Sequence, residues 1–262
     1  MTSVLNNIRS IWRRRQLIRY FVATDLKLIY NNKLLGYVWT LLDPVMMMLV
    51  YTLLVVVIFK RGEPRFPVLL FSALLAWRWF TFSIVGSVKS VTGKAKLVKS
   101  VNFPKATLPI SRVLVGLANY LFALIALVPM LFAFKASIGF QLLWLPLLIA
   151  IQLLFTLGAA LISAVLGIYY RDIENILQFS LKMWFYLSPA LYSARDRIPE
   201  QYLGVYMTFN PLAPLLESYK NVLVRGQNPD GYIVYSLVWS LLVFAAGIYL
   251  FSVKEPYMAR DI

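Results

Sequence analysis

The run LLGYVWTLLDPVMMMLVYTLLVVVIF, from Leu34 to Phe59, carries a single acidic or basic side chain, Asp43, and is closed by Lys60-Arg61. A bilayer core about 30 Å thick takes about 20 helical residues at 1.5 Å each, so this run reads as a transmembrane helix. Five further runs follow: Pro67 to Val88, Leu108 to Phe134, Phe140 to Tyr170, Ile176 to Ser193 and Tyr232 to Val253. The fourth exceeds what a perpendicular crossing needs, which predicts tilt or an interfacial start. The fifth is short and broken by Pro189. Hydrocarbon offers backbone groups no partners, so the expected fold class is an all-α integral membrane protein with six transmembrane helices. Composition agrees: 60% of residues are hydrophobic and 14% charged, where a soluble domain has about half and a quarter.

The segments outside these runs are patterned as well. In residues 1–33, Ile8, Ile11, Trp12, Ile18, Val22 and Ile29 recur near helical spacing, with Arg13, Arg14, Arg15 and Arg19 between them. That predicts an N-terminal amphipathic helix lying in the cytoplasmic interface, ahead of a transmembrane domain over 34–262. Residues 194–230 are too apolar for a loose loop and are interrupted by Pro211 and Pro214, which predicts short re-entrant helices before the last span. Glu217 and Lys220 within them read as an ordinary surface pair.

Charge orients the chain. With both termini cytoplasmic, fifteen of the 26 Lys and Arg residues fall in inner segments and eight in outer ones, the expected bias. The basic N-terminus lacks an early apolar region, so no cleavable leader is expected. The net charge of +15 matches anionic lipid at the membrane edge better than nucleic acid, for which no soluble domain remains. With no Cys or His, thiol chemistry, imidazole metal sites and histidine bases are excluded, and the eleven acids are scattered, unlike a divalent-metal site of a lipid transferase. An inverted repeat, the mark of many secondary carriers, is not evident.

The basic island TGKAKLVKSVNFPKATLP, residues 92 to 109, ends its first turn in Gly93-Lys94 like a nucleotide-binding loop. Such a loop needs Gly, four residues, then Gly-Lys-Ser/Thr, so that backbone N–H groups wrap the phosphates and the hydroxyl meets magnesium. Here six residues, not four, separate Gly86 from Gly93, and Ala95 replaces the hydroxyl. The pattern instead predicts a short surface helix with Ala95, Leu97, Val98 and Val101 between Lys94, Lys96 and Lys99, ended by Phe103-Pro104. Its plain function is a positive loop that fixes topology; its other is a docking face.

LLGYVWTLLDPVMMMLVY, LVKSVNFPKATLP, GIYYRDIENIL, SPALYSARDRIP and NPLAPLLESYK occur in this order after a basic amphipathic N-terminus. The chain thereby resembles, over nearly its whole length, the membrane subunit of ABC-2 type polysaccharide exporters, which move O-antigens, teichoic acids and capsules. The resemblance implies a homodimer of six-helix subunits in the cell membrane, joined by two separate ATP-binding subunits that hold the ATP and Mg. It implies no catalytic residue, cofactor or metal on this chain, and a lipid-linked polysaccharide or polyol-phosphate substrate. It makes Lys94, Lys96, Leu97, Lys99, Phe103 and Pro104 a coupling helix for the ATPase, with Arg171, Asp172 and Glu174 as a second contact.

Within the spans, Arg78 has two readings: a channel charge for the diphosphate of a lipid-linked substrate, or an ion-pair partner of Asp43. Asp43-Pro44 predicts a kink, and Lys182 and Arg112, nearer span ends, can snorkel. Aromatic rings stack on sugar faces, which makes Tyr37, Trp39, Tyr51, Trp77, Trp79, Trp184, Phe185 and Tyr186 the channel candidates beside Arg78. Lys60, Arg61 and Arg65 around a lone Glu63 in the first outer loop lean toward an anionic polymer such as teichoic acid.

Overall fold

Helices and their connecting turns make up the computed structural model, which describes residues 14–30, 38–60, 62–63, 65–137 and 139–262. The first helix, α1 (Arg15–Tyr30), is amphipathic. Phe21 and Asp25, four residues apart and so on one face, are buried, while Arg15 and Arg19 are exposed. The earlier part of the expected amphipathic segment, and Tyr37, lie outside the described residues.

Among the described residues, five helices are long and apolar enough to cross a membrane. The first is α2 (Val38–Thr52), with Pro44 inside it, prolonged by a wider π-type turn over Leu53–Ile58. The second is α3 (Phe66–Val88), which begins with Pro67 in its first turn, where a missing N–H costs nothing. The third is α5 (Thr107–Ala133), after the short α4 (Ala95–Ser100). The fourth is α6 (Leu145–Tyr169), which a 3-10 turn over Phe140–Trp144 lengthens to 30 residues. The last is α11 (Ile233–Lys254), followed by α12 (Met258–Asp261).

The run expected as a fifth crossing, Ile176 to Ser193, forms the 15-residue α7 (Ile173–Leu187). At 1.5 Å per residue that is about 22 Å, short of the roughly 30 Å core. It stops at Ser188 because the next residue, Pro189, disfavours helical backbone before it. Beyond it the chain is broken into α8 (Ala194–Arg197), α9 (Glu200–Phe209) and α10 (Ala213–Lys220), which ends in a π-type turn over Asn221–Arg225. Every residue of α10 is buried against protein, the condition under which broken backbone is tolerated at membrane depth.

Glu217 and Lys220 are therefore not a surface pair. Both are about 2% exposed. Glu217 accepts hydrogen bonds from the Lys220 ammonium at 2.8 Å, the Ala194 backbone N–H at 2.7 Å and Arg225 at 3.2 Å, and Arg225 in turn donates to Glu63 at 2.6 Å. Glu63 is thus not a lone acid among outer cations: its charge is tied to Arg225.

The core is centred on α3, whose window of the span is 78% buried, against 11% for α2 and 17% for α11. Lipid tails are as apolar as leucine, so association depends on close contact rather than on escape from water. Gly158 of α6 and Gly247 of α11 show how. A Cβ at Gly158 would overlap the backbone at Val243 and Phe244, and one at Gly247 would overlap the carbonyl of Gly158. The two backbones touch there because neither residue has a side chain.

Candidate functional site

Two regions bring the chemistry-bearing residues together: a groove along α2, α3 and α7, and a polar cluster at the end carrying residues 89–106.

The groove encloses about 350 Å³. Met47 and Tyr51 of α2 form one wall, Leu74, Trp77, Arg78, Thr81 and Val85 of α3 the floor, and Gln178, Leu181, Lys182, Phe185 and Tyr186 of α7 the other wall. On α7 these positions repeat at spacings of three and four, so one helix face supplies them all. The Tyr51 and Tyr186 hydroxyls hydrogen-bond across it at 3.2 Å. Trp77 packs against Phe185, Phe80 and Trp184 with ring centroids 5.5, 5.8 and 6.1 Å apart. Trp184 lies behind the lining, its indole N–H donating to Asn210 Oδ1 at 3.1 Å.

Among the aromatic channel candidates, then, Tyr51, Trp77, Phe185 and Tyr186 share the groove. Trp79 does not. Two residues from Trp77 it points to another side of α3, stacks on Tyr120 at 5.3 Å and donates its indole N–H to the Val113 carbonyl. Trp39 is exposed near the start of α2. Arg78 forms the ion pair with Asp43, at 2.5 Å, and its side chain also borders the groove. Lys182 and Gln178 are additions. Their signal was present in the three-and-four spacing with Phe185, although the sequence reading gives Lys182 only a snorkelling role near a span end.

In the second region, the 3-10 turn over Thr92–Lys94 and α4 form the expected short helix, ended before Phe103-Pro104. Its residues divide by direction. Lys94 turns inward and donates to Asp25 of α1 at 3.2 Å, with its ammonium 4.5 Å from the Phe21 ring centre. Arg112 of α5 reaches the same carboxylate at 3.7 Å. Phe103 is buried beside Phe21, and Leu97 is half-buried over the same apolar cluster. Glu174 pairs with Lys89, which ties the start of α7 to the end of α3. The tail closes the other side, where Glu255 accepts from the Lys105 backbone N–H at 2.6 Å. Lys96, Lys99, Arg171 and Asp172 stay exposed. Asp25 is absent from the sequence-derived candidates, although it is the only acid before Asp43 in a strongly basic segment.

The sequence that builds these spans, the broken segment after α7 and the basic loop matches the ABC-2 type transporter family model over residues 16–224. The chain belongs to the ABC-2 type transporter family. Like that family it is a multi-pass membrane protein. The ABC-2 chain is 30% identical over 252 residues to the O-antigen export system permease protein RfbA of Myxococcus xanthus, covering 95% of this chain and 97% of that one. A protein of the same name from Klebsiella pneumoniae is 28% identical, with 91% of each chain covered. The polysialic acid transport protein KpsM of Escherichia coli is 26% identical, with 86% of this chain and 88% of that one covered. The match to these permeases runs through the groove and the basic loop alike.

Proposed function

We propose that this chain is the membrane subunit of an ATP-driven exporter that moves a lipid-linked cell-surface polysaccharide across the cell membrane. The observation that carries it is the end-to-end similarity to permeases named for O-antigen export and polysialic acid transport. A groove walled by aromatic rings and hydroxyls supports it, since sugar faces stack on rings without being held tightly. Both termini and residues 89–106 face the cytoplasm in this reading. The exposed Lys96, Lys99, Arg171 and Asp172 then meet a separate ATP-binding subunit, two of which serve a homodimer. ATP and magnesium stay on those subunits, because the sequence around Gly93 cannot cradle a phosphate. Teichoic acid is the second substrate reading; the outer cations Lys60 and Arg65 favour it, the relatives' names favour a polysaccharide.

The test is to express this chain together with the ATP-binding subunit of a polysaccharide exporter in a strain lacking its own O-antigen permease. The expected result is that both chains purify together and polymer reaches the cell surface only when the ATPase is competent. Surface polymer that is independent of any ATPase would overturn the exporter reading in favour of a secondary carrier.

A further inference from the structure

Lys182 is the one acidic or basic side chain between Ile176 and Leu187. It borders the groove together with Arg78, and the two cations differ in one respect. Arg78 is already held by Asp43, whereas Lys182 has no ion-pair partner among the described residues. It sits five residues, about 7.5 Å at 1.5 Å per residue, before the C-terminal end of α7 at Leu187, and its side chain borders the groove. Intramembrane charges of this kind are expensive unless compensated and mark ligand paths by default.

What surrounds Lys182 defines the ligand. Met47, Leu74 and Leu181 supply apolar wall, and Gln178 and the Tyr51–Tyr186 hydroxyl pair supply neutral hydrogen-bonding groups. A free ammonium beside aliphatic wall fits an amphiphilic anion, a phosphate or diphosphate borne on a hydrocarbon chain. Lysine binds such a group as a point charge without needing the planar fork of an arginine. We propose that Lys182, and not Arg78, is the anion-binding side chain of the groove, and that it receives the phosphate group of the lipid that carries the exported polymer. This rests on the exporter reading for the identity of the cargo, but the binding itself does not.

The experiment titrates the full chain in phosphatidylcholine nanodiscs and reads tryptophan fluorescence, since Trp77 lines the groove and Trp184 packs behind it. The probes are farnesyl diphosphate, farnesol and inorganic pyrophosphate. Saturable binding of farnesyl diphosphate alone is expected. Lys182→Gln should weaken it about tenfold, the weight of one charge-assisted contact, and Lys182→Arg should retain it. The double variant Arg78→Met with Asp43→Asn should weaken it less than Lys182→Gln does. Equal binding of farnesol, unchanged affinity in Lys182→Gln, or a larger loss in the double variant would each overturn the assignment. So would equal competition by phosphatidylglycerol in the disc, which would make the site one for bulk anionic lipid. Lys182 is exposed, so the variants should fold, and a normal chromatographic profile confirms it. Binding is read without ATPase or polymer. An intact complex that fails to export therefore counts against the exporter reading alone, and an exporting complex whose Lys182→Gln form binds normally counts against this inference alone.

Discussion

Asp43 and Arg78 face each other from neighbouring spans, and either one left alone in hydrocarbon costs about 2.5 to 3.5 kcal/mol on insertion scales. Removing both leaves no orphan charge, and such replacements are often neutral. Arg78→Met is therefore expected to lower the amount of folded chain in the membrane, and adding Asp43→Asn to restore it. Quantitative blotting of the membrane fraction checks this; a double variant as depleted as the single would mean that the pair is not what holds Arg78. Asp25 has a comparable duty at the basic loop, where it meets Lys94 of the loop and Arg112 of α5. Its role was not legible in the sequence because the partners are 69 and 87 positions away and local periodicity carries no such distance. Arg78 was legible, since a lone arginine between two tryptophans violates the apolar pattern in place.

At the scale of elements, the spans were readable because the solvent demands them: long apolar runs have few ways to satisfy their backbone. Pro189, Pro211 and Pro214 announced the breaks that follow α7, though not that Glu217 and Lys220 would be buried in a network that Arg225 of the next turn extends to the distant Glu63. The basic loop was readable as a helix but not in its direction. Lys94 and Phe103 anchor it inward, so only Lys96 and Lys99 are left to meet a partner. Lys96→Glu with Lys99→Glu should therefore uncouple transport at normal membrane levels, because charge-assisted contacts are worth about 1.5 to 3 kcal/mol each. Wild-type export by this variant would reduce the loop to a topology signal. The contact between α6 and α11 is a different kind of element property. Gly158→Val places a branched side chain against the α11 backbone, and strong loss of folded protein is expected, read by fluorescence-detected size exclusion. A variant of normal yield would show that the two helices can separate without cost.

The whole molecule is lopsided, and its exposed faces differ in kind. The outer face of α11 presents Val234, Val238, Leu241 and Leu242, all apolar and suited to lipid. The side bounded by α2 and α7 presents Met46, Met47, Val50 and Met183 but also half-exposed Asp43 and Arg78, with Lys182, Gln178 and the tyrosine pair lining the groove. Polar side chains of this kind face a bundle interior or a water-filled path rather than hydrocarbon. A second copy set against this side would close the open groove into a path between protomers, whereas one set against α11 would leave it open to lipid. The chain has no cysteine, so single cysteines report cleanly. In native membranes, Met47→Cys and Met183→Cys are expected to give cross-linked dimers with a short bismaleimide, and Leu242→Cys to stay monomeric. Cross-linking confined to Leu242→Cys would place the dimer on the opposite face and leave the groove as a lipid-exposed cleft.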